Sequence, residues 1–234
     1  MILLKDEAKN AGLELSEKQI EKFRIYMNFL LEYNKHTNLT AIKEPEDIMI
    51  KHFLDSMILS KFIKMGSESK IIDVGTGAGF PGVPLKILDE SVNWTLVDSL
   101  NKRITFLKEL SDKLDWNIDI FHARAEELAQ KNEFREKFDI AVSRAVAPLN
   151  VLSEYCLGYV KLGGCFAAMK GPNLEEEIKN SENSINTMGG KIKECKYFEL
   201  PRKKGSRSVV MIEKIKNTSI KYPRMNPQIS KSPL

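Results

Sequence analysis

The stretch that most constrains this chain runs from Lys70 to Gly82: Lys-Ile-Ile-Asp-Val-Gly-Thr-Gly-Ala-Gly-Phe-Pro-Gly. Ile71, Ile72 and Val74 predict a buried strand. It breaks into Gly75, Gly77, Gly79 and Gly82, with Pro81 among them. Glycines at this spacing let the backbone turn tightly and meet a ligand with no Cβ in the way. Pro81 suits the first turn of a following helix, whose apolar positions are Val83, Leu85, Ile87 and Leu88. Strand, glycine loop and helix in succession predict the nucleotide-binding corner of a doubly wound α/β sheet. The plainer alternative is that the glycines only make a turn.

The ligand is the first decision. Gly77-Ala78-Gly79-Phe80-Pro81-Gly82 formally matches the dinucleotide fingerprint. In that fingerprint the helix N-terminal amides hold a pyrophosphate. Here Pro81 removes one such amide, and bulky Phe80 sits where backbone should crowd the phosphates. Asp73, at the strand end, would repel a pyrophosphate but suits a cationic ligand. Asp-x-Gly-x-Gly-x-Gly resembles motif I of the class I S-adenosylmethionine-dependent methyltransferases. Their cofactor carries a sulfonium and an ammonium, and no phosphate.

Among 234 residues, 42% are hydrophobic and 29% charged, which excludes a disordered chain. The start, Met-Ile-Leu-Leu-Lys-Asp-Glu, has no signal-peptide apolar region, and no apolar run is long enough to span a bilayer. Cys156, Cys165 and Cys195 are far apart with no Cys-x-x-Cys, which predicts reduced thiols, no metal site and a cytoplasmic setting. The net charge of +4 is unevenly spread. Residues 196–234 hold ten Lys or Arg and two Glu, while the rest hold 26 basic and 30 acidic residues. A basic end on a mildly acidic body suits a polyanion partner, or is a solvated tail.

Three parts are expected: a helical extension over 1–66, a cofactor-binding α/β domain over 67–217, and a basic tail over 218–234. Ser16-x-x-Gln19 is a capping box before Ile20, Phe23, Tyr26, Met27, Leu30 and Leu31. Pro45 opens a further helix carrying His52 and Asp55 on one face, expected as a solvated or capping pair. From Lys70, strands at 94–97, 118–121, 138–142 and 165–169 alternate with helices, so the sheet should be mostly parallel. Around 173–188 a polar helix is expected, and 191–200 and 208–215 form an antiparallel hairpin.

Ligands in such sheets bind beyond the carboxyl ends of the strands. Asp98 ends the second strand, where an acid can accept both ribose hydroxyls or cap a helix. After the third strand, Ala125 leaves a backbone amide free for an adenine edge, and Glu126 can accept from its amino group or sit in a first helical turn. Ser143-Arg144 follows the fourth strand. Arg144 could hold the methionine carboxylate, orient Glu126 or Asp73, donate to a base, or form a structural ion pair.

A closer resemblance rests on six segments: Asn34-Lys35-His36-Thr37-Asn38-Leu39-Thr40-Ala41-Ile42, His52-Phe53-Leu54-Asp55-Ser56, Asp73 to Gly82, Asp98-Ser99-Leu100-Asn101-Lys102-Arg103, Arg124-Ala125-Glu126 and Ser143-Arg144-Ala145-Val146-Ala147. Together they resemble the glucose-inhibited division protein B methyltransferases, which modify guanine N7 in bacterial small-subunit (16S) rRNA. The resemblance runs over residues 34–224. It implies S-adenosylmethionine as cofactor, contacts by Gly75, Phe80, Ala125, Glu126 and Arg144, and 16S rRNA or the small ribosomal subunit as partner. With Asp73, Gly77, Gly79 and Asp98 these are the expected cofactor residues, and Arg144 is the expected catalytic group. Beyond Arg224, Lys231 is the only basic residue, fewer than the resemblance implies. A monomer is expected.

Guanine N7 is a bare lone pair, so its methylation needs no general base. No Asn/Asp-Pro-Pro-aromatic motif of the N6-adenine enzymes follows the fourth strand. RNA is expected over Arg103, Arg124, Lys170, Arg202, Lys203, Lys204 and Arg207, which with Lys102 are all expected in loops. The competing readings are an RNA-binding module with a non-catalytic cofactor pocket, and a methyltransferase of another RNA.

Overall fold

The computed structural model describes residues 1–144 and 147–234. Ala145 and Val146, two residues of the motif after the fourth strand, lie outside the described residues.

The chain opens with α1 (Ile2–Asn10) and α2 (Glu17–Thr37). A compound helix follows: α3 (Pro45–Asp47), a π-helical stretch Ile48–Leu54, α4 (Asp55–Ile58) and a 3-10 turn Leu59–Lys61. Then come β1 (Lys70–Val74), α5 (Gly82–Leu88), β2 (Asn93–Asp98), α6 (Asn101–Lys113), β3 (Asp119–His122), α7 (Ala125–Leu128), β4 (Phe138–Arg144), α8 (Leu149–Leu157) and β5 (Val160–Lys170). The chain continues through α9 (Glu175–Lys179), α10 (Glu182–Thr187), β6 (Gly190–Glu199), β7 (Ser206–Lys214) and α11 (Gln228–Lys231).

The seven strands form one sheet in the order β3-β2-β1-β4-β5-β7-β6. Neighbours from β3 through β5 are parallel, and β7 runs antiparallel to both β5 and β6. The order reverses between β1 and β4, so the carboxyl ends of those two strands define the switch point. β1 is buried on both faces, which is why it reads as a nearly continuous apolar run. Its alternation sends Ile71 into one apolar layer and Ile72 into the other.

The first layer is built on the N-terminal helices. The capping box is present: the Ser16 hydroxyl accepts from Gln19 N–H at 3.3 Å, and Gln19 Oε1 accepts from Ser16 N–H at 2.9 Å. Ile20, Phe23, Tyr26 and Leu30, three or four residues apart, are buried together with Phe53 and α5. The core therefore continues across the short link at 66–69 and joins helical extension to sheet. The second layer packs Leu149, Leu152 and Leu157 of α8 with Ile185 and Met188 against Phe166 and Val210.

Three expectations change. The polar helix over 173–188 is two short helices, α9 and α10. Lys102 and Arg103 lie on α6, and Lys170 and Arg207 lie on β5 and β7, rather than in loops. The segment beyond 218 is not a free basic tail: Arg224 pairs with buried Glu154 of α8, and Ile229 is fully buried. Cys156 is buried and Cys165 and Cys195 half-buried, all as free thiols. Among the described residues no helix is long and apolar enough to cross a membrane, and no cluster of His, Cys, Asp and Glu could hold a metal.

Candidate active site

The carboxyl ends of β1, β2 and β4 open onto one cavity of about 960 Å³. The glycine loop forms its floor. Gly75, Gly77 and Gly79 all have positive φ, at 71°, 63° and 103°. At Gly77 an added Cβ would meet nothing within 4 Å, so the backbone there faces open space. Gly79 and Gly82 serve packing instead. A Cβ on Gly79 would fall 2.6 Å from Val83 and 2.9 Å from the Tyr26 hydroxyl, and one on Gly82 2.6 Å from Leu96. Gly79 is thus not at the cavity wall as expected, because α2 presses on it from behind.

Asp73 also differs from expectation. Its carboxylate is fully buried and does not line the cavity. Oδ2 accepts from the Thr76 hydroxyl at 2.7 Å and from Gly82 N–H at 2.8 Å, tying both ends of the loop together. Burial pushes its carboxyl up to about 7, against the pull of those two donors. The Gly82 amide, which a dinucleotide enzyme would turn to a pyrophosphate, is spent inside the protein.

Asp98 stands where β2 ends and does line the cavity. Its Oδ2 accepts from Gly77 N–H at 2.9 Å and from Arg103 at 3.0 Å, and Oδ1 from Leu100 N–H at 2.9 Å. It both caps the entry to α6 and braces the loop. Arg103, expected at RNA, is bound to this acid. Further along, Ala125 opens α7, and the Tyr159 hydroxyl donates to its carbonyl at 2.6 Å. Glu126 is buried, and its Oε1 has no hydrogen-bond partner among the described residues. Arg124 is 3.9 Å from that oxygen, beyond hydrogen-bonding reach. An unpaired buried acceptor is costly unless a donor arrives, so the site fits a ligand presenting an amino group there.

Arg144, at the end of β4, commands the opposite side. It does not reach Glu126 or Asp73, two of the roles open to it. Its guanidinium lies 4.8 Å over the Phe80 ring. Nη1 reaches the Asp55 carboxylate at 3.2 Å and the Ser56 hydroxyl at 3.1 Å, and Nη2 reaches His52 Nδ1 at 3.2 Å. His52 stacks on Phe80 at 4.4 Å, and its Nε2 lies 2.9 Å from the Thr40 hydroxyl. Since Arg144 can only donate, Nδ1 accepts, and Nε2 carries the proton toward Thr40. Burial, with the Arg144 charge beside it, lowers His52 to about 3, so the ring stays neutral.

The expected solvated or capping pair of His52 and Asp55 is therefore wrong. Both line the cavity, and Asp55 is 2% exposed. The π-helical turn carries His52 and ends at Leu54, Asp55 opens α4, and the Lys51 and His52 carbonyls also point at Arg144, each 3.3 Å away. Asp55 Oδ2 is shared with Arg207 at 3.5 Å, and Oδ1 has no partner among the described residues. Burial raises Asp55 against both arginines and lowers Arg144. The sequence signal for this cluster was the His-x-x-Asp-Ser spacing, but nothing local says that an arginine 89 residues on meets it.

The other expected RNA residues divide. Lys170 is nearly buried, bound to Glu177 at 2.5 Å and to the Ala147 carbonyl at 2.9 Å. Arg202 pairs with Glu7 at 3.0 Å, and Lys204 with Asp47 at 2.6 Å. Lys203 is exposed and has no ion pair among the described residues. Arg124 is half exposed at the cavity rim.

Relatives of this chain are found at two levels, by sequence and by fold. A family model described as rRNA small subunit methyltransferase G matches residues 19–209. The chain is 49% identical to the ribosomal RNA small subunit methyltransferase G of Alkaliphilus metalliredigens, covering 100% of this chain and 98% of that one. It is 49% identical to the protein of that name from Clostridium tetani, covering 99% and 98%. Solved structures share the fold at low identity. A SAM-dependent O-methyltransferase from Thermotoga maritima superposes with a TM-score of 0.55 at 13% identity, over 81% of this chain and 73% of that one. TYW2 of M. jannaschii, solved with AdoMet, gives 0.54 at 12%, over 69% and 77%. A switch-point cavity floored by a glycine loop whose Gly82 amide is held by Asp73, and likeness along the whole length, lead to one conclusion: this chain belongs to the rRNA small subunit methyltransferase G family.

Proposed function

We propose that this chain methylates N7 of a guanine in the 16S rRNA of the bacterial small ribosomal subunit, with S-adenosylmethionine as methyl donor. The observation that carries the reading is that one cavity is lined by Gly77, Asp98 and Glu126 and also by Arg144, Lys170 and Arg207. Cofactor and base can thus meet in one space. Gly75, Gly77, Phe80, Asp98, Ala125 and Glu126 would hold the cofactor, with Asp73 and Gly79 shaping the loop from behind. The buried, unpaired Glu126 oxygen fits the adenine amino group.

Bound S-adenosylmethionine supplies an electrophilic methyl group on a sulfonium. Guanine N7 offers a lone pair and no proton, so the chain needs no general base. His52 agrees, since both ring nitrogens are engaged and the ring is neutral. Its task is to fix Arg144. Arg144, clamped by Asp55, Ser56 and the π-helical carbonyls, is held in one orientation and can donate to the guanine edge that flanks N7. Arg124 and Lys203 meet RNA phosphates, and Arg202 and Lys204 can exchange the half-buried carboxylates of Glu7 and Asp47 for them. The chain acts as a monomer in the cytoplasm, where ribosomal RNA resides.

The test is transfer of labelled methyl from S-adenosylmethionine to purified 16S rRNA and to small subunits, followed by nucleoside digestion. Label in 7-methylguanosine is expected. Label in another nucleoside refutes the N7 assignment, and cofactor binding without transfer favours the RNA-binding module.

A further inference from the structure

We propose that the segment Met225–Leu234 forms a wall of the cofactor pocket at its adenosine end, and that the Arg224–Glu154 pair sets it in place. The inference rests on the proposal that the pocket takes S-adenosylmethionine.

After β7 the chain returns across α8. Arg135 donates to the Tyr222 carbonyl at 2.8 Å and to the Thr218 carbonyl at 2.7 Å, and Gln130 to the Pro223 carbonyl at 2.8 Å. Arg224 then turns inward onto Glu154, which is fully buried. Glu154 Oε1 accepts from the Arg224 backbone N–H at 2.8 Å and from its Nε at 2.9 Å, and Oε2 from Nη2 at 2.7 Å. A forked guanidinium on a buried carboxylate fixes direction as well as distance. Removing one partner leaves an uncompensated buried charge, so the path of the chain at this point is firmly set.

The residues after Arg224 are aimed at the cavity. One residue beyond Glu154 on α8, the Tyr155 hydroxyl accepts from Asn226 Nδ2 at 3.1 Å. The Ser230 hydroxyl donates to Asn226 Oδ1 at 2.9 Å, and Ile229 is fully buried beneath them. Asn226, Ser230 and Pro233 line the same cavity as Ala125, Glu126 and Tyr155. Burial and then the nearby Glu126 carboxylate raise Tyr155, whose hydroxyl holds Asn226 at the cavity that Glu126 also lines. A segment that served packing alone would need Arg224 and Ile229 and no more. Here two polar side chains and a proline also face the space where the adenine donor is wanted.

The experiment compares the full chain with one lacking residues 226–234, which keeps the Arg224–Glu154 pair. Calorimetry uses two probes, S-adenosylhomocysteine and methylthioadenosine, which share the adenosine and differ in the amino-acid arm. The shortened chain, folded by circular dichroism, should bind both about tenfold more weakly, the equivalent of one lost hydrogen bond with its packing. Unchanged affinity for both overturns the proposal. Loss for S-adenosylhomocysteine alone also overturns it, by placing the segment at the amino-acid end. A full chain that binds neither probe overturns the cofactor reading itself, a separate result. If the shortened chain fails to fold, hydrogen exchange on the full chain decides. Amides of 226–234 should slow with saturating S-adenosylhomocysteine and not with methionine, and unchanged exchange refutes the wall.

Discussion

Replacing Asp73 with Asn separates a loop brace from a direct cofactor contact. Asp73 accepts two hydrogen bonds through Oδ2, from Thr76 and Gly82, and Oδ1 has none among the described residues. An Asn carbonyl oxygen in the Oδ2 position keeps both bonds, and its amide nitrogen takes the unpaired position. A buried donor without a partner costs about 1–3 kcal/mol. Against this stands the charge. Asp73 titrates near 7 when folded and at 3.8 as a free side chain. Below 3.8 both states are protonated and the group contributes nothing. Between 3.8 and 7 the unfolded chain ionises while the folded one does not, so stability falls with rising pH, and above 7 the loss is complete. Three units correspond to a loss on the order of 4 kcal/mol. Asp73→Asn cannot ionise, so relative to wild type it should gain stability steadily from pH 4 to pH 7 and hold that gain above. Asp73→Ala loses both bonds, leaves Gly82 N–H and the Thr76 hydroxyl buried without partners, and should be destabilised by roughly 3–5 kcal/mol at pH 4. Urea denaturation at several pH values measures these terms, and calorimetry measures cofactor affinity alongside. Asp73→Asn should keep that affinity within about fourfold, a difference under 1 kcal/mol. A folded Asp73→Asn protein that loses binding a hundredfold at every pH would refute the reasoning, since only a carboxylate touching the cofactor cation behaves so.

Three further outcomes are expected from the same geometry. Gly77→Val should abolish cofactor binding by calorimetry with the circular dichroism of the sheet retained, because the new side chain enters open cavity and not protein, at a backbone cost of about 1–2 kcal/mol for positive φ; retained affinity would move the pocket elsewhere. His52 is lowered from 6.5 to about 3, so the unfolded chain takes up a proton first, and the stability His52 contributes is whole above 6.5 and drains as pH falls toward 3. His52→Gln should therefore remove about 2 kcal/mol of acid sensitivity between pH 7 and pH 5, read as parallel urea curves, whereas an unaltered pH dependence would mean an exposed ring. Replacing Lys203 with Ala should reduce the slope of log affinity for RNA against log salt by about 0.7–0.9, and Lys203→Ala with Lys204→Ala by up to twice that, with cofactor affinity unchanged; an unaltered slope would leave both lysines as solvated charge.

Much of this protein was legible locally. The β1 run, the glycines and Asp98 follow from short-range pattern, since a buried parallel strand, a positive-φ loop and a strand-end acid each leave a signature within a few residues. The capping box and the spacing of Ile20, Phe23, Tyr26 and Leu30 likewise place α2 and its buried face. The antiparallel hairpin needed only two strands without a helix between them. The side-chain contacts between distant segments lay beyond reach. Asp73 reads as a cofactor acid until Thr76 and Gly82 close around it, because a carboxylate's role depends on which donors arrive and not on its place in a motif. Arg144 carries no mark of the compound helix, 88–93 residues earlier in sequence, that orients it. The basic segment near the end of the sequence reads as a polyanion arm, yet Arg224 is consumed by a buried Glu154 and Ile229 by the core. Composition counts charges, and only tertiary packing decides which are neutralised inside the protein and which remain for RNA. Sequence determined the local elements and the family, because those depend on residues near in chain order. Tertiary structure decided what each polar group at the site faces, because that depends on chain segments brought together by burial.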